Sequence, residues 1–210
     1  MNTTKILSVE DPDAITLAKA IIQNGGVITF PTDTVYGLAA DPFNPVALRR
    51  IYQAKERPQE KALPVLIANM HQFKQFVPTV SDQVKRLAQT FWPGPLTLVM
   101  EKKPDLPPEL SAYPTIGMRM PDLDFTLRLL CGTGPLATTS ANISDQSNTT
   151  TAEEVFSQLN NRVDLILDGG QTPGLMASTV LAVSQSNIRI LRPGPISLEK
   201  IQAALDSPGK

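Results

Sequence analysis

The sequence predicts an α/β protein, a mixed sheet flanked by helices, on three observations. Apolar runs of strand length, such as VITF, LPVLIA, PLTLVM and VDLILD, alternate with segments whose apolar residues recur at helical spacing. Glycine, proline or small polar residues interrupt most junctions, and proline alone supplies 19 of the 210 residues, which prescribes many rigid turns. No internal repeat, low-complexity tract or long linker divides the chain, so a single domain over 1–210 is expected.

Each element has its own signal. Residues 11–24 read as a helix capped by Asp11 or Asp13, with Ile15, Ala18, Ile21 and Ile22 on one face and Gly25-Gly26 as the stop. A strand over 27–30 ends at Pro31, which cannot donate to a ladder and sends the chain into a Thr32-Asp33-Thr34 turn. Asn44-Pro45 opens the next helix in the cap-then-proline manner, and Val46, Leu48, Ile51, Tyr52 and Ala54 give it an apolar face. Pro58 disfavours continuation, so Lys55 and Arg57 fall in a terminal turn and are free to point together.

LPVLIA (63–68) has the continuous apolar character of a buried strand, and Asn69 and Ser81 are caps for two further helices. PLTLVM (95–100) is a strand, followed by a proline-punctuated loop. TIGMRMP (115–121) alternates, placing Thr115, Gly117 and Arg119 on one side, where the arginine meets either solvent or an anion. DLDFTLRLLCGTG is a helix closed by glycine, and PLATTSAN (135–142) is a strand running into a polar turn. Thr151 and Glu154 form a capping box for a helix to Leu159. VDLILDGG (163–170), ASTVLAV (177–183) and IRILRPG (188–194) are three more strands, and a last helix starts at Ser197.

Composition excludes several function classes. A net charge of −1 gives no whole-molecule attraction to nucleic acid or to an acidic membrane, although Arg49 to Lys61 holds five cations against two anions. The single cysteine, Cys131, rules out an intramolecular disulfide and a CxxC metal site, and its apolar neighbours predict a core thiol. His71 is the only histidine and reads as a surface residue, so HExxH zinc chemistry is impossible. The N-terminus lacks a signal-peptide core and no apolar run reaches the length of a spanning helix, which predicts a cytoplasmic protein without membrane contact. There is no P-loop, and the loose GxGxxA match at Gly132 follows a helix, the reverse of what pyrophosphate binding needs.

What remains is a recurring composition: strand ends that open into small hydroxyls and a cation. The PTDT turn, Arg119, the TTSAN turn, Ser178-Thr179 and Arg192-Pro193-Gly194 all fit it, and open α/β sheets bind ligands at strand ends. These five segments are expected to surround one crevice for a polyanionic small molecule.

The strings PTDTVYGLAADPFN, QAKERP, WPGPLTLV, IGMRMPD, TTSANIS, DGG and ILRPG, in this order, closely resemble the YrdC-like threonylcarbamoyl-AMP synthases over about residues 10–205. The K-x-R pair (Lys55, Arg57) and the S-x-N pair (Ser140, Asn142) stand in their expected contexts. The resemblance implies a YrdC-like twisted mixed sheet around a large positively charged cavity. It implies an enzyme that joins L-threonine, bicarbonate or CO₂, and ATP into threonylcarbamoyl-AMP and pyrophosphate. That product feeds the modification of adenosine 37 in tRNAs reading ANN codons, with partner proteins performing the transfer to tRNA.

Position by position, the resemblance implies that Thr34, Arg119, Thr138 and Ser178 hold L-threonine, Arg119 facing its carboxylate. Lys55, Arg57, Lys61, Thr115, Ser140, Asn142, Asn148 and Arg192 would hold ATP, with Lys55 and Arg57 catalytic. Mg²⁺ would arrive with the ATP phosphates and take no ligand from protein side chains. The chemistry needs no protein nucleophile, so the lack of a histidine or cysteine dyad is no objection. Catalysis would rest on fixed cations and Mg²⁺ that bring two anions together and on stabilising charge at the phosphoryl centre.

Three departures stand out. Some relatives place a histidine where this chain has Leu66, and some an acidic residue where it has Ala177. Longer relatives add a C-terminal domain that covers the site, whereas this chain resembles the short, single-domain form. An alternative function is a non-catalytic module of the same fold that binds double-stranded RNA or tRNA through its basic cavity, a reading motivated by the basic segment and opposed by the net charge and the 5% aromatic content. A carbamoyl-phosphate-using domain of the hydrogenase-maturation kind is disfavoured by the single cysteine.

Overall fold

A computed structural model describes residues 3–174, 176–184 and 187–206. The chain runs β1 (Lys5–Ser8), α1 (Ala14–Gln23), β2 (Ile28–Phe30), β3 (Gly37–Ala40), α2 (Pro45–Lys55), β4 (Val65–Leu66), α3 (Met70–Phe73) and α4 (Asp82–Phe91). It continues through β5 (Leu96–Glu101), β6 (Thr115–Arg119), α5 (Asp124–Thr133), β7 (Leu136–Ser140), α6 (Ala152–Leu159), β8 (Leu165–Asp168), β9 (Thr179–Val183), β10 (Ile188–Arg192) and α7 (Leu198–Asp206). The caps act as the sequence predicts at four helices. Asn44 accepts from Val46 and Ala47, Asn69 from His71 and Gln72, Ser81 from Val84, and Thr151 and Glu154 form the reciprocal box.

The described strands make one ten-stranded mixed sheet in the order β1-β8-β2-β3-β7-β4-β6-β5-β9-β10. Because side chains alternate across a strand, each strand feeds both faces. On one face Leu38, Val65, Leu98, Met118, Ala137 and Leu181 meet α2, α4, α6 and α7 in the larger core. On the other, α1 (Ala14, Ala18, Ile22) and α5 (Phe125, Leu129, Leu130) cover Ile28, Phe30, Ala39, Leu136 and Leu165. Among the described residues this second cluster takes nothing from β5, β6 or β9. Val99, Gly117 and Val180 on that part of the face are only half-buried. The sheet is therefore covered on both sides at one end and on one side at the other.

Five readings from the sequence are corrected. β1 and β3 were not foreseen, since KILS is short and mostly exposed and GLAA carries no β-branched residue. LPVLIA yields only the two-residue β4, because Pro64 and the Asn69 cap confine it. Asp13 occupies the first helix's cap position without a side-chain bond, while Asp11 accepts the Asp13 N–H instead. Val46 is 59% exposed rather than part of the apolar face. Cys131 is exposed, not a core thiol: one residue past Leu130 the helix turns it away from the buried face. His71 is exposed, as expected, and no helix among the described residues is long and apolar enough to cross a membrane.

Candidate functional site

All five expected segments converge. Thr32, Thr34, Arg119, Thr138, Ser140, Ser178 and Arg192 line one crevice, together with Gly37, Pro64, Leu66, Thr97 and Arg57. Two turns are zipped to each other by the β3–β7 ladder, in which Gly37 pairs with Ser140, and by Tyr36, whose N–H reaches Thr149 O at 2.9 Å while its carbonyl accepts from Ala141 N at 2.8 Å. Two glycines permit the closest approaches. A Cβ on Gly174 would lie 2.6 Å from Asp33 O, and one on Gly194 would lie 2.3 Å from Thr179 N, so larger residues there would push apart the loops that carry Thr34 and Ser178. The crevice has a volume of about 140 Å³, smaller than the large cavity the resemblance implies. That volume is below the roughly 300–1,000 Å³ of sites for drug-sized ligands, so a molecule wholly enclosed by it must be small.

Arg119 forms the floor. It is 5% exposed, and three of its five N–H groups are committed: Nε to Gly94 O at 3.0 Å, Nη1 to Thr34 Oγ1 at 2.9 Å, and Nη2 to the Asp33 carboxylate. Burial lowers its pKa, and the adjacent Asp33 carboxylate opposes that shift. Thr34 Oγ1 also lies 3.0 Å from Thr32 Oγ1, which fixes the turn. Thr138 is buried, with its hydroxyl on Leu136 O at 3.0 Å and its N–H on Pro64 O at 2.7 Å. Ser178 Oγ sits 2.8 Å from Thr97 Oγ1 and accepts from Arg192 Nη2 at 3.2 Å, and Arg192 also donates to Ser178 O.

The K-x-R pair divides its labour. Glu56 takes a left-handed conformation (φ 52°, ψ 40°) and ends α2, which sends Lys55 and Arg57 different ways instead of pointing them together. Arg57 lines the crevice, braced by Lys61 O at 3.2 Å and Ala62 O at 3.1 Å. Lys55 is 1% exposed. Its Nζ donates to Ser140 O at 2.6 Å and to Asn142 O, with Asn142 Oδ1 at 3.4 Å. Burial, and then the charges of Arg57 and Lys61, push its pKa down to about 7. Lys55 therefore braces the TTSAN turn and is not among the residues lining the crevice. Asn142 does the same, donating to Ile143 O and Gln146 O at 2.8 Å each.

Three further expected residues are not brought to the crevice. Lys61 is exposed with Nζ 4.0 Å from Asp145, and Asn148 is exposed in the loop after β7. Thr115 sits at the opposite end of β6, four residues and thus roughly 13 Å from Arg119, and lines a separate depression with Val99, Glu101 and Arg189. Sequence reasoning missed Asp33, Thr97 and Gly94. Asp33 was visible as part of the turn, but nothing in the sequence ties it to an arginine 86 positions away.

Comparison with known proteins follows the same residues. The sequence pattern of the Sua5/YciO/YrdC domain, described as telomere recombination, matches residues 20–194. The chain belongs to the Sua5/YciO/YrdC family. It is similar to the threonylcarbamoyl-AMP synthase of Bacillus subtilis, at 40% identity over 208 residues, which is 98% of this chain and 60% of that protein. A putative threonylcarbamoyl-AMP synthase of Mycobacterium tuberculosis is 35% identical over 207 residues, covering 96% of this chain and 95% of the other. Among solved structures of the Sua5/YciO/YrdC family, P. abyssi Sua5 complexed with L-threonine superposes with a TM-score of 0.90 at 33% identity, over 98% of this chain and 61% of that one. E. coli YciO gives 0.84 at 25% identity, over 96% and 100%. The chain thus spans about 60% of the length of the Bacillus and Pyrococcus relatives.

Proposed function

We propose that the chain makes L-threonylcarbamoyl-AMP and pyrophosphate from L-threonine, bicarbonate or CO₂, and ATP, acting as a nucleotidyltransferase. Partner proteins would then carry the threonylcarbamoyl group to tRNA. The observation that carries this reading is a division within one crevice of a Sua5/YciO/YrdC protein. A buried arginine paired with a carboxylate forms the floor, and two arginines outside every ion pair among the described residues stand nearer the rim. The relative solved with L-threonine supports the amino acid as the floor's ligand.

In this reading the threonine carboxylate meets the two N–H groups that Arg119 keeps free, one on each terminal nitrogen, beside Thr34. Its amine combines with CO₂ to give a carbamate and release a proton. A carbamate oxygen then attacks the α-phosphorus of ATP, and the bond to the β-phosphate bridging oxygen breaks as pyrophosphate leaves. Arg57 and Arg192 hold the phosphates and stabilise the charge that grows at the phosphoryl centre, while Ser140 lines the path between them. Lys55 and Asn142 serve as positioning residues for that serine.

In this reading Mg²⁺ would come with the nucleotide and be held by its phosphates. Among the described residues no group of three or more His, Cys, Asp or Glu could hold a metal, and Asp33 is committed to Arg119. When bound through the phosphates it neutralises their charge. The test is release of pyrophosphate by purified protein with ATP, bicarbonate and Mg²⁺. Release that depends on L-threonine supports the proposal, and release indifferent to threonine overturns it.

A further inference from the structure

We infer that Asp33 sorts the two ligands of the crevice by charge: by neutralising Arg119 it makes the floor a seat for a zwitterion and closes it to phosphate. The inference takes the identities of the two ligands from the proposed function and the sorting from geometry alone.

Three guanidiniums face one crevice, those of Arg57, Arg119 and Arg192, and all three would otherwise attract a polyphosphate. Among the described residues only Arg119 of the three pairs with a carboxylate. The Arg119–Asp33 pair is nearly dry, with side-chain exposures of 7% and 10%, so its two charges cancel at short range with little screening by water. Among the described residues no ion pair involves Arg57 or Arg192, and their polar partners are neutral: Lys61 O and Ala62 O for the first, Ser178 O and Ser178 Oγ for the second. The floor is thus a neutral pair with two N–H donors to spare, while the rim carries two uncompensated charges.

A zwitterionic amino acid brings one carboxylate and no net charge, which suits the neutral floor. A phosphate of charge near −2 would meet Asp33 behind the arginine and lose most of the attraction. At the rim the preference reverses. Asp33 lies behind Arg119, outside the crevice lining, so it acts through the arginine as a positioning and charge-setting residue and touches neither ligand.

The decisive variant is Asp33→Asn, which keeps an oxygen for Arg119 Nη2 and removes the charge. In the wild type, pyrophosphate should compete with ATP and not with L-threonine. In Asp33→Asn it should compete with both, and the KM for ATP should stay within about twofold. A parallel arm needs no turnover. Inorganic phosphate should raise the melting midpoint of Asp33→Asn more than that of the wild type, and L-threonine should remove the difference. Asp33→Glu restores the charge and should restore the wild-type inhibition pattern, which a purely structural role for Asp33 would not require. An unchanged inhibition pattern in Asp33→Asn, with equal phosphate protection of variant and wild type, would overturn the inference. Absence of threonine-dependent turnover in the wild type would instead defeat the proposed function and leave the phosphate arm interpretable. Should Asp33→Asn fail to fold, Asp33→Glu decides: a glutamate variant that admits phosphate to the threonine site excludes charge as the determinant.

Discussion

Lys55 and Arg119 are both cations withdrawn from water, and their surroundings differ in one respect. Arg119 faces a carboxylate, whereas Lys55 faces only neutral oxygens and two further cations. An ion pair holds a buried charge in place. A cage of carbonyls satisfies the donors but leaves the cost of burying the charge, so the lysine's proton becomes loose enough to leave near neutral pH. One strand-borne arginine is thereby a fixed charge, and one helix-end lysine is a brace whose charge depends on conditions.

The largest expected effect comes from breaking the better-held cation. Arg119→Ala leaves Asp33 buried without a partner, and urea unfolding should show a loss of about 3–5 kcal/mol. Equal stability of variant and wild type would mean that the pair contributes nothing to the fold. Lys55→Met strips donors from the TTSAN carbonyls and should cost about 1–3 kcal/mol at pH 7. The same pair of proteins tests the loose proton. Because the folded pKa of about 7 lies below that of an ordinary lysine, the unfolded chain binds more protons between about pH 7 and 10. The stability of the wild type relative to Lys55→Met should therefore rise with pH across that window, by at most about 1.4 kcal/mol per unit, and be flat below it. A falling difference would assign the wrong sign to the burial.

Smaller effects sharpen the boundary of the site. Ser178→Ala removes the hydroxyl shared by Thr97 and Arg192 and should weaken L-threonine binding by about 0.5–1.5 kcal/mol, read by calorimetry. Thr115→Ala, at the far end of β6, should leave the KM for ATP unchanged, and a clear rise would return that residue to the nucleotide site.

Local chemistry made much of this legible. Caps at Asn44, Asn69, Ser81 and Thr151 are decided by residues within a few positions, and so are the turns after Phe30 and Ser140. The convergence of PTDT, Arg119, TTSAN, Ser178 and Arg192 was legible because each segment follows or precedes an apolar strand. What escaped depends on distance along the chain or on one backbone angle. The Asp33–Arg119 pair spans 86 positions, the opposite headings of Lys55 and Arg57 turn on Glu56, and the misplacement of Thr115 turns on strand length. β3 escaped because GLAA is a strand only by virtue of its neighbours β2 and β7.

The central claim, that one crevice holds an amino acid at its floor and a nucleotide at its rim, is tested most directly by steady-state kinetics of Arg119→Lys and Arg57→Ala with both substrates varied. Arg119→Lys keeps the charge beside Asp33 and loses the planar fork. It should raise the KM for L-threonine strongly and leave that for ATP nearly unchanged, while Arg57→Ala should do the reverse or abolish turnover. Both variants moving the same constant would contradict the account.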